Sequence, residues 1–255
     1  MQVEKVNLVK IREGEWTRNE DFVAIEEPLE ISTCFRECKT FAIVMRTPGD
    51  DLELSLGFLY SEGIIDRYDD VVSVEVRSGT SQIFLKNENK VKSREIVVNS
   101  SCGVCGRALL YALEVLRSDV RIKSDVIFSL PKKLRDGQSA FNVTGGLHAA
   151  GLFSTEGEML YLYEDVGRHN AVDKIVGRLL MRNELPASST ILQVSGRIGY
   201  EIVSKAIMAG IPVVSGISAP TSYAIKIAED SGITLIGFSR GESFNVYAHP
   251  ERIKT

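Results

Sequence analysis

The stretch from Leu152 to Ile236 constrains the fold most. β-rich runs stand at Leu152-Phe153, Met159 to Tyr163, Ile191 to Val194, Val213-Val214 and Thr234-Leu235-Ile236. Helix-like runs lie between them: about Asn170 to Met181, from a Gly-rich bend after Val194 to Ala209, and around 220–230. Strands alternating with helices at short spacing predict a layered α/β sheet with parallel strands. The strand at 234–236 is expected to close the run.

The first 120 residues read differently. Residues 1–20 are polar and unpatterned, and predict a short strand and a loop. Strands are expected at Phe22 to Ile25, Phe41 to Met45, Val71 to Val76, Gln82 to Lys86 and Arg94 to Val98, with a turn at Gly79-Thr80. Thr47 to Gly63 predicts a helix capped by Asp50 or Asp51 and ended by Gly63, with Leu52, Leu56 and Leu59 on one face. The expected organisation is an N-terminal α+β lobe over 1–120 and an α/β domain over 121–255, or one continuous domain of the two.

A chain of 255 residues, 44% hydrophobic and 25% charged, is an ordinary globular composition. Its formal net charge of −4 implies no general attraction to nucleic acid. No apolar run approaches the ~20 residues of a membrane span, and the N-terminus shows no signal-peptide pattern. Four cysteines in a chain of this length do not make a disulfide framework. A reducing cytoplasm is therefore the expected setting, in which a C-x-x-C pair is catalytic or metal-binding.

That pair is Cys102 and Cys105, in Ser101-Cys102-Gly103-Val104-Cys105-Gly106. A strand-like run leads in, and a helix-like run, Arg107 to Arg117, leads out. A cysteine just before a helix meets unpaired N–H groups and the positive end of the helix dipole, which lowers a thiol pKa. Three readings stand: buried apolar residues, a zinc half-site, and thiol or persulfide chemistry. Cys34 and Cys38 predict hairpin packing, with a four-thiolate zinc site as the functional alternative.

Three small, polar loops are expected beyond strand ends, where open α/β sheets bind ligands. They carry Ser195-Gly196-Arg197, Ser215-Gly216, and Phe238-Ser239-Arg240-Gly241-Glu242-Ser243. Gly and Ser let backbone N–H groups approach an anion, Arg197 and Arg240 can grip phosphate, and Phe238 offers a face to a planar ring. A nucleotide or another phosphate-bearing ligand fits this set, although neither Walker A nor G-x-G-x-x-G is present. Asp165, Arg168, His169 and Asp173 form a second polar cluster, open to acid–base chemistry or to helix capping. His249 is expected at the surface. The zinc-deaminase pattern fails here: Ala150 stands where the glutamate after His148 belongs, and the C-x-x-C precedes the histidine.

Ordered motifs running from about residue 20 to residue 253 carry a resemblance. They are Thr47-Pro48-Gly49-Asp50-Asp51, Leu56-Gly57-Phe58-Leu59, Ser61-Glu62-Gly63, the Cys102–Cys105 loop, Asn142-Val143-Thr144-Gly145-Gly146-Leu147-His148, Glu164 through Lys174, and Phe238-Ser239-Arg240-Gly241. Together they resemble the FdhD family of formate dehydrogenase accessory proteins. The resemblance implies a cytidine-deaminase-like three-layer α/β/α sandwich with a mixed sheet, without the zinc chemistry, and a homodimer. It implies a persulfide carrier that takes sulfur from a cysteine desulfurase. The acceptor is the bis-molybdopterin guanine dinucleotide form of the molybdenum cofactor, for which a guanine nucleotide is a surrogate, and the recipient is formate dehydrogenase. Cys102 would carry the sulfur, Cys105 would assist, and Phe238 to Ser243 would bind the cofactor. Ser195, Gly196, Arg197, Ser215, Gly216 and His169 join them as binding candidates. No bound metal is expected. The alternative is a zinc-stabilised cofactor chaperone that transfers no sulfur.

Overall fold

The computed structural model describes residues 2–87, 96–98, 116 and 118–254, with the backbone alone for 96–98. The chain opens with β1 (Val3–Arg12) and β2 (Glu15–Ala24), paired antiparallel along their whole length. This corrects the expected short strand and loop. Both faces of the hairpin are largely in water, so no buried face imposes an apolar alternation on the sequence. Glu13 and Gly14 take positive φ, as the two central residues of a tight hairpin turn do.

Next come β3 (Glu27–Cys34), β4 (Cys38–Arg46), α1 (Asp51–Ser61), β5 (Val71–Arg77), β6 (Thr80–Leu85) and β7 (Ile96–Val98). Among the described residues these strands form a five-stranded sheet, in the order β5-β6-β3-β4-β7. β3–β4 and β5–β6 are antiparallel, while β6 and β7 join β3 and β4 in parallel. The β3–β4 hairpin sets Cys34 opposite Cys38, and the two form a disulfide. As a disulfide they offer no thiolates, which overturns the four-thiolate zinc alternative. Asp50 stands at the α1 N-cap but makes no side-chain cap, and Asp51 instead receives both branches of Arg46, at 2.8 and 2.9 Å.

The rest of the chain runs β8 (Ile122–Lys123), α2 (Ser124–Gly137), α3 (Ser139–Thr144), β9 (His148–Ser154), β10 (Met159–Asp165), α4 (Arg168–Arg182), β11 (Thr190–Val194), α5 (Tyr200–Met208), β12 (Val213–Gly216), α6 (Ser222–Ser231), β13 (Thr234–Arg240), β14 (Ser243–Ala248) and β15 (Ile253–Lys254). A mixed sheet, β10-β9-β11-β12-β13-β14, forms the middle layer, with β11, β12 and β13 parallel as predicted. Leu192, Val194, Val214 and Leu235 face one core with residues of α4, α5 and α6. Ile191, Val213 and Ile236 face the opposite core with Leu130 and Leu134 of α2. The protein is thus mixed α/β, with helices on both faces of this sheet. The run does not close at residue 236: β13 continues to Arg240 and turns into β14. Phe244 and Val246 of β14 pack on the α2-side core, which holds this edge strand in place.

α1 covers one face of the five-stranded sheet and packs against α4 on its other side. The two helix backbones touch. A methyl group on Gly57 would lie 1.8 Å from the Asp173 carbonyl oxygen, and one on Gly177 would lie 1.9 Å from that of Glu53. Gly57→Ala must therefore push two backbones apart and costs about 3 kcal/mol, or roughly 6–12 °C in Tm for a chain of this size. Differential scanning calorimetry checks this; a Tm within the error of the parent would refute the close crossing.

Candidate functional site

Glu164, buried at the end of β10, accepts the backbone N–H groups of Ala140 and Phe141 at 2.9 and 2.7 Å. A carboxylate in that position fixes the first turn of α3. Gly145, at φ 67°, ends α3 and lets the chain turn through Gly146 and Leu147 into β9. Gly145 to His148 thereby becomes one wall of a cleft of about 390 Å³, whose other walls come from Arg135, Gln138, Phe141, Val166, Ser195 and Ile217. The Arg135 guanidinium lies 4.5 Å from the centre of the Phe141 ring and donates to the Asn142 side chain. A cation over an aromatic face at a cleft wall suits planar or anionic ligand groups.

At the opposite wall, the Ser195 hydroxyl accepts the Ala149 N–H at 2.9 Å and lies 3.4 Å from His148 Nδ1. Gly196 leaves room for two side chains: a methyl group there would sit 3.3 Å from the His148 ring and 3.9 Å from Arg168 Cδ. His169 is buried, with Nε2 3.7 Å from Glu201 at the start of α5, which allows attraction without a full hydrogen bond. Burial pushes the His148 pKa down, and the charges of Arg168 and His169 push it further. Burial also lowers His169 against the opposing pull of Glu201, with Arg168 and Lys205 adding to the fall. Burial pushes the Glu201 carboxyl up, but the contact with His169 and hydrogen bonding to its backbone outweigh this and leave it below its ordinary value. Both histidines are therefore neutral at pH 7, able to donate and accept, beside the fixed positive charge of Arg168.

The three loops predicted at the strand ends are joined. Ile198 N–H donates to the Ala219 carbonyl and Thr221 N–H to that of Ile198, at 3.2 and 3.0 Å. Phe238 N–H reaches the Ser218 carbonyl at 3.2 Å. Ser195 and Gly196 lie at the cleft, and Arg197 is exposed beside them. Ser215 and Gly216 are the last two residues of β12 rather than loop residues. Phe238, Ser239 and Arg240 belong to β13 and Ser243 to β14, with Gly241-Glu242 as the turn between, which corrects the predicted loop. A register shift between Gly237 and Arg240, with Phe238 at φ 53°, bends this hairpin and sets Arg240 5.7 Å from the Phe238 ring. The hydroxyls of Ser215 and Ser239 are buried with no hydrogen-bond partner among the described residues, as is the Gln193 carbonyl oxygen.

Two candidates of the 164–174 cluster serve the fold instead. Asp165 receives Lys174 at 2.9 Å, with Gly167 N–H and the Asn170 amide both at 2.8 Å. Asp173 receives Lys205 at 2.7 Å and the Ser61 hydroxyl at 2.8 Å. Arg168 and His169 are the members that face the cleft region. Arg135, Gln138 and Phe141 were missed; their signal was their place directly before the Asn142–His148 motif. His249 is half-buried, with Nε2 2.9 Å from the Glu229 carbonyl. Cys102 and Cys105 lie outside the described residues. The described chain approaches them through β7, where Val98 sits beside Val44 of β4. Thr47, three residues beyond Val44, accepts the N–H of Val166 at 3.1 Å, and Val166 lines the cleft.

The histidine environment predicts a titration. With folded-state pKa values below the unperturbed ~6.5, the unfolded chain binds more protons, so stability falls as pH drops through about 6.5. Histidine proton resonances followed by NMR should give midpoints below that value for His148 and His169. Arg168→Gln should raise the His148 midpoint; an unmoved midpoint would discount the Arg168 charge.

A family model described as the FdhD/NarQ family matches residues 24–254. The chain is 61% identical to the sulfur carrier protein FdhD of Sulfurisphaera tokodaii over 254 residues, covering 99% of this chain and 100% of that protein. It is 59% identical to the protein of the same name in Saccharolobus solfataricus, covering 99% of each. The Streptomyces avermitilis counterpart is 43% identical over 98% of this chain and 95% of its own length. A crystal structure from Desulfotalea psychrophila, described as a formate dehydrogenase accessory protein, superposes with a TM-score of 0.83 at 27% identity over the whole of both chains. On full-length similarity in both sequence and fold, this chain belongs to the FdhD/NarQ family.

Proposed function

We propose that this protein is a sulfur carrier that serves formate dehydrogenase. The observation that carries the reading is end-to-end identity of about three residues in five with a protein named as a sulfur carrier. The accessory-protein description of its structural counterpart supplies the recipient enzyme. In this reading the Cys102 thiolate attacks the terminal sulfur of a persulfide on a cysteine desulfurase. An S–S bond forms on Cys102, and the donor cysteine leaves as a thiolate that takes up the proton. Cys105 assists release or resolves a stalled persulfide. The acceptor is the molybdenum of the bis-molybdopterin guanine dinucleotide cofactor, carried here as a substrate and then handed to formate dehydrogenase.

The geometry supports a phosphate-bearing, ring-containing acceptor. Arg135 on Phe141 and Arg240 near Phe238 pair a cation with an aromatic face at two places. The neutral His148 and His169 can hydrogen-bond to such a ligand without adding charge. β7 delivers the chain to within four residues of Cys102 on the strand beside Val44, and an extended chain spans about 13 Å in four residues. No described helix is long and apolar enough to cross a membrane. The reading sets the transfer in the cytoplasm.

Incubation with a cysteine desulfurase and cysteine should add about 32 Da, one sulfur atom, to the peptide bearing Cys102. Cys102→Ala should abolish both the gain and the restoration of formate dehydrogenase activity, while Cys105→Ala should be milder. A Cys102→Ala variant that still accepts labelled sulfur and restores the dehydrogenase would refute the carrier role. One zinc per chain, lost with Cys102, would replace it with the chaperone reading.

A further inference from the structure

The disulfide between Cys34 and Cys38 lies outside the cleft and belongs to none of the three buried cores. It closes the last rung of the β3–β4 hairpin, across a separation of four residues. The stabilisation a disulfide gives grows with the loop it closes, so stapling the fold is a weak reason for this one. Its two ends differ. Cys34 is 1% exposed, on a strand paired with β4 on one side and with Phe84 of β6 on the other. Cys38 is exposed, as are Phe35, Arg36, Glu37 and Lys39 around it. The Phe35 N–H reaches the Glu37 carbonyl at 3.3 Å, and Arg36 lies 5.9 Å from the Phe35 ring. Arg36 and Lys39 against Glu37 leave the tip with a net positive charge, which favours an approaching thiolate.

A thiolate opens a disulfide by bonding to one sulfur and expelling the other, and access decides which sulfur is attacked. We infer that this hairpin tip is a thiol–disulfide exchange site, opened at Cys38 by a dithiol. The incoming thiolate bonds to Cys38 Sγ, and Cys34 leaves as a thiolate that takes up a proton. Cys34 stays held between its two neighbouring strands, so against a monothiol it returns to Cys38 and expels the reagent. A dithiol escapes this return. Its second thiolate attacks its own first sulfur, releases Cys38 and departs as an intramolecular disulfide, so that two electrons and two protons pass to the protein. The opening is local. Glu30 accepts the Ser32 and Thr40 hydroxyls at 3.1 and 2.7 Å, which ties the strands together two residues inside the disulfide. The strand that leads toward Cys102 pairs from Ala42 to Val44 and runs away from Cys38. The exchange therefore stands independently of the sulfur-carrier reading.

Differential alkylation of the native full chain with tryptic mapping tests this. Cleavage after Arg36 separates the two cysteines, so each is read by itself. Protein prepared without reductant should leave both unalkylated. Dithiothreitol without denaturant should make both alkylatable and lower Tm by about 4–8 °C, with the native circular dichroism retained. Acid quenching during exposure to glutathione should trap a mixed disulfide on Cys38 and none on Cys34. Cys34→Ser should take up glutathione from its disulfide at Cys38, whereas Cys38→Ser should leave Cys34 unmodified until the chain is denatured. Two free thiols in the unreduced protein overturn the inference. So does a disulfide that dithiothreitol opens only in guanidinium, which would make it a static staple. Glutathione on Cys34 overturns the direction of attack, and an unmoved Tm on full reduction overturns the hold of the disulfide on the hairpin.

Discussion

The backbone contact between α1 and α4 is the constraint on which the other features depend. Two helices approach this closely only where side chains are absent from both, and Gly57 and Gly177 meet that condition on facing turns. The contact brings the five-stranded sheet and the six-stranded sheet into one body. It also encloses charge. Lys174 and Asp165 are fully buried at 2.9 Å, and Lys205 reaches Asp173 beside the Ser61 hydroxyl. Buried ions persist only when paired and hydrogen-bonded, and removing one partner costs about 3–5 kcal/mol. Glycines and ion pairs therefore require each other: separated helices would leave charges half-solvated, and unpaired charges would pull the helices apart.

The segment from Glu164 to Lys174 divides its work by position. Glu164 pins α3, and so builds a wall of the cleft. Asp165 accepts the N–H of Thr47, tying the end of β10 to the end of β4. Asp173 and Lys174 close the interior. Arg168 and His169 alone turn toward the loops at the sheet end. Of the seven polar residues in this run of eleven, Glu164, Asp165, Asp173 and Lys174 thus serve as a joint of the fold. The same joint sets the relation between the cleft and β7, because Thr47 continues the strand that β7 pairs with.

Around the rim stand fixed cations, aromatic faces and histidines whose pKa burial lowers. Burial, with the Arg168 charge adding to it, lowers the pKa of the two neighbouring histidines, and Arg135 and Arg240 rest near aromatic faces. In the proposed reading, an anionic ligand with planar rings would meet cations and aromatic surfaces along one edge of the sheet, with neutral hydrogen-bonding groups on the inner wall. Acid–base catalysis would need a titrating group poised near neutrality, and burial moves both histidines away from it.

Much of the fold was legible. The parallel strands β11, β12 and β13 and their helices followed from alternating apolar runs and glycine bends, which are local signals. The helix α1 and the strands β4 to β6 followed in the same way. The hairpin β1–β2 was not legible, because a ribbon wetted on both faces carries no alternation. β14 was hidden by the Gly241 turn and the irregular register before it. The disulfide between Cys34 and Cys38 depends on a hairpin register that spacing alone does not set. At the site, the Ser195–Arg197 bend was legible, but the strands that carry Ser215-Gly216 and Phe238 to Arg240 and the roles of Glu164, Asp165 and Asp173 were not. The sequence by itself determined which segments become strands and helices in the second half and where the thiol pair lies, since those patterns repeat within a few residues. Only the tertiary structure decided which charges are glue and which face the cleft. Their partners lie far along the chain, as Thr47 does from Asp165, and a buried charge is assigned by what surrounds it in space.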